Sequence, residues 1–109
     1  MNFQVNITRQ AEDDLRGVFE YIAYELQSVQ NAVGQLGRLE KAIFSLDQMP
    51  QRYRVYEKEP WHSRGLRVMP VDNYLVFYIP YPDTLNVEII RVMYGGRDVD
   101  TQLNKITKE

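Results

Sequence analysis

The residues of this chain best suited to chemistry are arginines and tyrosines, not the usual nucleophiles or metal ligands. Arg91 sits in an apolar run between Ile90 and Val92, and Arg97 follows Gly95-Gly96, where a strand must end. Two guanidinium groups at one end of such a run are either held by buried carboxylates or aimed at an anion, because their planar forks match oxyanions bidentately. Between residues 52 and 97 there are seven cations, six of them arginine, including Arg64 and Arg67, against five acidic groups. Residues 1–51 run the other way, with four basic and seven acidic groups, and the whole chain carries a net charge of −2. Any nucleic-acid contact is therefore local and does not come from a basic surface. Proton transfer would fall to Tyr94 or to His62, the single histidine, which follows Trp61. With one histidine and no cysteine, no metal site and no thiolate chemistry are expected.

Each of these residues also has a purely structural use. Arg91 would pair with Glu88, Asp72 or Asp98, since a buried charge needs a partner. Arg97 and Asp98 would close the sheet as an ion pair. Tyr94 would pack with its hydroxyl in water. Trp61 would either anchor a partner or plug a loop over the core. Gly95-Gly96 suggests a turn with positive φ.

These side chains need a scaffold, and the 109 residues suffice for one domain with one modest core. Apolar content of 44% and charged content of 26% are those of an ordinary globular chain. There is no apolar stretch of membrane-spanning length and no secretory leader pattern, so a cytoplasmic protein without membrane contact is expected. Phe3, Val5 and Ile7 alternate with polar residues, which predicts a half-buried strand over 1–7. Residues 8–49 read as a helical hairpin. Thr8 caps a helix with an apolar stripe at Ala11, Leu15, Val18, Ile22 and Leu26, and Ser28 caps a second that Met49-Pro50 stops. Gly34 and Gly37 would let the two helices approach closely. Residues 50–63 have no period and read as an irregular loop.

The span 64–98 predicts antiparallel strands. Pro70 places the first of them at a sheet edge. Tyr74 to Ile79 has the composition of a strand buried on both faces. Pro80, Pro82, Asp83 and Asn86 supply turn chemistry before the run from Leu85 to Tyr94. Residues 99–109 form a tail that adds a last helical turn or frays. The order β-α-α-β-β-β gives an α+β domain, a helical hairpin packed on one face of a small, mainly antiparallel sheet.

Four segments in this order, AEDDLRGVFEYIA, LEKAIFSLDQMPQRY, RGLRVMPVDNYLVFY and EIIRVMYGGRD, make the chain resemble the RelE/ParE superfamily of toxins from type II toxin–antitoxin modules. The resemblance covers nearly the whole chain. It implies growth inhibition, a role in plasmid stabilisation, and a cognate antitoxin as partner in a hetero-oligomer. The antitoxin would be held in the groove between hairpin and sheet or along an exposed sheet edge, with Trp61 and Tyr53 as contacts. One branch of the superfamily cleaves mRNA on the ribosome by attack of the ribose 2′-hydroxyl, which needs no metal and no cofactor. The other branch binds DNA gyrase and does no chemistry.

By position, Arg67 matches the family's strand arginine and Arg97 the arginine after the last strand, both suited to phosphate. Arg64 and Arg91 flank them, and Tyr94 falls where some ribonuclease members place terminal catalytic residues. Met93 stands where a histidine would serve, Val99 to Leu103 lacks the tyrosine of other members, and only Lys58 remains of their lysine-rich patch. The resemblance therefore favours a gyrase-binding toxin. The alternatives are a metal-independent mRNA endonuclease and a non-toxic interaction domain on the same fold.

Overall fold

The computed structural model describes residues 2–96 and 98–106. The first strand, β1 (Gln4–Ile7), turns Phe3, Val5 and Ile7 inward and leaves Gln4 and Asn6 exposed. Thr8 then does two things. Its Oγ1 accepts the Ala11 N–H at 3.2 Å, capping α1 (Arg9–Glu20), and its hydroxyl donates to the Ile89 carbonyl at 2.7 Å. The cap thus fixes the helix to a strand made much later in the chain. Helix α1 runs into a π-helical segment, Tyr21–Glu25, whose wider turn holds Ile22 and Ala23 inward and leaves Tyr21 and Tyr24 out. Gln27, at φ 55°, reverses the chain. Ser28 accepts the Asn31 N–H at 3.2 Å and opens α2 (Val29–Phe44). Two short 3-10 turns, Ser45–Asp47 and Pro50–Arg52, follow.

The sheet has the order β1-β4-β3-β2, with β2 (Arg67–Val71), β3 (Tyr74–Tyr81) and β4 (Asn86–Tyr94). Strand β1 lies parallel to β4, and the two other pairings are antiparallel. Asp72 and Leu85 carry the turns on either side of β3 at φ 55° and 57°. Register shifts inside β4: Phe77 lies opposite Arg91 but Tyr78 opposite Ile89, so Ile90 is an extra, bulged residue.

Both faces of the sheet are covered. On one face Ala11, Leu15, Leu39 and Ile43 from the helices pack on Val76, Tyr78, Ile89 and Val92. On the other, Tyr56, Trp61 and Leu66 from the long loop, with Leu103, pack on Phe77, Ile79, Ile90 and Met93. The helical hairpin lies on one face as expected, but two clusters replace the single modest core that the chain length suggested, and the strand composition at 74–79 explains it: alternate residues are all apolar, so each face needs its own cover. The tail supplies part of that cover as α3 (Val99–Ile106). Strand β2 is terminal, as Pro70 requires, but its outer edge is partly closed. Tyr56 N–H donates to the Leu66 carbonyl at 2.7 Å and Val68 N–H to the Arg54 carbonyl at 3.1 Å.

Two glycine expectations fail. A methyl group at Gly37 would meet nothing within 4 Å, and one at Gly34 only the tip of Arg38, so neither marks close helix approach. Gly95 and Gly96 do not take a left-handed φ. Among the described residues no helix is long and apolar enough to cross a membrane.

Candidate functional site

Strand β1 stops pairing at Ile7–Ile89, so the last residues of β4 have no strand on that side. Helix α1 takes the vacant place through one carboxylate. Asp14 accepts the Val92 N–H at 2.9 Å, and the Arg91 guanidinium gives it two more bonds, Nε at 2.7 Å and Nη2 at 2.8 Å. The two side chains are only 7% and 15% exposed. Arg91 is thus held by an acid, as one of its two sequence readings required, but the acid is Asp14, not Glu88, Asp72 or Asp98. The missed signal lay in α1, where Asp14 falls inside the apolar stripe of Ala11, Leu15 and Val18 and so faces the sheet.

Beside this pair a cleft of about 910 Å³ opens between α1 with its π segment, α2 and the end of the β3–β4 pair. Tyr21, Tyr74 and Tyr94 line it, together with Gln35, Arg38 and Arg91. Tyr74 and Tyr94 meet edge to face, centroids 5.8 Å apart at 79°. Burial raises the Tyr74 pKa, and the nearby phenols of Tyr94 and Tyr21 raise it further. Gly96 makes room for the Tyr94 ring: a Cβ there would lie 2.8 Å from Cε2. That contact is the use of the second glycine. On the α2 side, Arg38 Nε and Gln35 Nε2 reach Asp72 Oδ2 at 2.8 and 2.9 Å. Those bonds, Arg38 first, hold the Asp72 carboxyl below its ordinary pKa and fix the β2–β3 turn to the helix.

The other sequence-selected residues lie elsewhere. Arg67, at the start of β2, spends Nη1 on the carbonyls of Gln51 at 3.0 Å and Tyr53 at 2.6 Å. The Tyr53 ring is half-buried beneath the Arg52 guanidinium, 5.0 Å from its centroid. Trp61 is 3% exposed in the second core, with Nε1 donating to Asn104 Oδ1 at 2.9 Å. Arg64 lies over its ring at 4.6 Å. His62 is exposed on the same loop, 3.6 Å from Glu59. Arg97 lies outside the described residues. Of the sequence set, Arg91 and Tyr94 share the cleft, whereas Arg64, His62 and Trp61 belong to the covering loop. No cluster of three or more metal-ligating side chains occurs among the described residues.

Known proteins share this fold. The family model described as the ParE toxin of type II toxin–antitoxin systems matches residues 5–99. No curated protein sequence matches. Among solved structures, the chain is similar to the chromosomal ParDE toxin–antitoxin system of P. aeruginosa at TM-score 0.71 and 16% identity, over 84% of this chain and 95% of that one. It is also similar to the RelBE2 toxin–antitoxin complex of Mycobacterium tuberculosis at TM-score 0.64 and 20% identity, over 86% and 99% of the two chains. A free-state mutant of the E. coli toxin RelE gives TM-score 0.61 at 13% identity, over 97% and 99%. At these identities the likeness is one of fold.

Proposed function

This chain belongs to the ParE toxin family of type II toxin–antitoxin systems, and from that premise we propose that it halts growth by binding DNA gyrase, without chemistry of its own. The observation that carries the reading is the use made of the arginines. A site that cleaves RNA must keep guanidinium donors aimed where the phosphate gathers charge. Here Arg67 donates to the carbonyls of Gln51 and Tyr53, and Arg91 to both oxygens of Asp14. Both serve the fold. Binding to a protein asks for no proton relay, and the long helical hairpin offers the area. A cognate antitoxin would neutralise the toxin by covering this surface in a hetero-oligomer, and the module would act in the cytoplasm.

Pulse labelling of DNA, RNA and protein after induced expression tests the reading. DNA synthesis should stop first, with a DNA-damage response, while translation continues. An immediate stop in translation with cleaved messages on ribosomes would instead make this an mRNA endonuclease.

A further inference from the structure

Between the two 3-10 turns that follow α2 the chain makes one strained step. Met49 takes a left-handed backbone, φ 47° and ψ 56°, which glycine adopts freely and a residue with a Cβ adopts at a cost. Its side chain is 72% exposed, the highest value among the large apolar residues described, so little packing offsets that cost. What holds the step is hydrogen bonding on both sides of it. Each of five consecutive carbonyls, Asp47 to Gln51, accepts a bond. Phe3 N–H donates to Asp47 at 2.8 Å. Arg52 Nη1 donates to Gln48 and to Met49, and its Nη2 to Ser45 Oγ at 3.0 Å. The buried Tyr78 hydroxyl donates to Pro50 at 2.6 Å and Arg67 Nη1 to Gln51 at 3.0 Å. A connection alone would be served by glycine at position 49. Strained residues that their surroundings hold this firmly concentrate at functional sites, and what this one displays is a methionine.

The chemistry of the partner follows from shape and charge. A fixed, projecting apolar side chain enters a preformed pocket, which a folded protein has and a disordered segment lacks. Methionine suits such an anchor, being flexible and polarisable enough to fill a pocket closely. Around it the charge is one-sided. From position 41 to 55 the exposed Lys41, Arg52 and Arg54 face one acid, the half-buried Asp47. The hydrogen-bond partners of Arg52 are all neutral oxygens, so none of them cancels its charge. We propose that Met49 anchors the toxin to its target by entering an apolar pocket of a folded protein whose rim is acidic, with Lys41, Arg52 and Arg54 steering the approach. The assignment deepens the binding reading above and rests on it. It puts the anchor beyond the C-terminal end of α2, apart from the cleft of Tyr21, Tyr74 and Tyr94, whose lining includes none of these residues.

The test uses the whole chain, with purified DNA gyrase as the probe and growth inhibition as a second readout. Met49→Gly removes the side chain and relieves the left-handed backbone, so the melting temperature should hold or rise. Gyrase binding should nevertheless fall roughly tenfold, and growth inhibition should be lost. Met49→Leu returns an apolar side chain of similar volume and should restore both. The double reversal Lys41→Glu/Arg54→Glu, whose side chains make none of the turn's bonds, should weaken binding at low salt and less at high salt. All variants should still co-purify with the cognate antitoxin. Full toxicity in Met49→Gly, no rescue by Met49→Leu, or indifference to the charge reversal overturns the proposal. So does a lower melting temperature in Met49→Gly, which would make the side chain structural. Loss of antitoxin co-purification together with toxicity would make the turn the antitoxin's surface. Binding of a single-stranded RNA oligonucleotide that Met49→Gly abolishes would make it a nucleic-acid surface, and either result also overturns the proposal. If the parent does not bind gyrase but growth inhibition still follows position 49 as above, the gyrase reading fails and the anchor stands for another target.

Discussion

Asp14 in α1 and Arg91 in β4 are joined by two parallel hydrogen bonds of 2.7 and 2.8 Å, and the same carboxylate takes the Val92 N–H. One side chain therefore does for the end of β4 what a neighbouring strand does for its beginning. Removing one partner leaves a buried charge and an orphaned amide. Asp14→Ala should cost about 3–5 kcal/mol in urea unfolding. The double replacement Asp14→Leu/Arg91→Met should cost less than either single change, which a double-mutant cycle would read directly.

Arg67 makes a different prediction from the phosphate role suggested by its position. Its two carbonyl contacts anchor the Pro50–Arg52 turn beside β2, so Arg67→Ala should destabilise by roughly 1–3 kcal/mol. Toxicity should fall only as far as folded protein is lost. A stable but inactive variant would return Arg67 to the target-facing set.

Tyr94→Phe keeps the ring and its edge contact with Tyr74 and removes only the hydroxyl. Under the binding reading, growth inhibition should persist nearly unchanged. Loss of toxicity at unchanged melting temperature would point to proton transfer, which is typically worth ~10²–10⁴-fold.

Gly96→Ala tests the ring's placement separately from its chemistry. The new methyl group would lie 2.8 Å from Tyr94 Cε2, so the ring must swing away from its rotamer at a cost of about 1 kcal/mol. The near-ultraviolet circular dichroism of the paired tyrosines should change with little loss of fold.

Alkaline pH should loosen the second core and the Pro50 turn. Burial, then the hydrogen bond to Asp100, pushes the Tyr56 phenol up to about 12, and burial pushes Tyr78, bonded to the Pro50 carbonyl at 2.6 Å, to about 12. Both folded values lie above the ordinary 10.0, so the fold favours the neutral phenols. Their stabilisation is complete below pH 10 and is lost as pH rises towards 12. Tyr56→Phe should begin about 1 kcal/mol less stable at neutral pH and then show a shallower alkaline decline.

Local signals explain what the sequence made legible. Thr8 and Ser28 each cap the helix that follows, Pro70 falls on the terminal strand, and the run at 74–79 is buried on both faces. What stayed hidden depends on residues distant in sequence. The partner of Arg91 lies 77 positions away. The cover of the second face comes from a loop without period, held to α3 by Tyr56–Asp100 and Trp61–Asn104 bonds. The cleft was invisible for the same reason. Tyr21 reads as a surface position of a helix and Tyr74 as the start of a strand, and only the hairpin's return across the sheet brings them to Tyr94.

The parallel seam between β1 and β4 pairs Gln4 with Asn86 and Ile7 with Ile89, so β1 is completed by a strand made much later in the chain. Synthesis proceeds at about 5–20 residues per second, and the N-terminal half therefore waits several seconds on the ribosome before its partner emerges. During that wait Asp14 has no Arg91, the Thr8 hydroxyl has no Ile89 carbonyl, and the apolar stripe of α1 has no sheet to lie on. Such long-range closure is slow in any case. Tyr94 is the last residue of β4 and pairs with Tyr74, so the cleft too comes into being only after β4 has been made and has closed on β3.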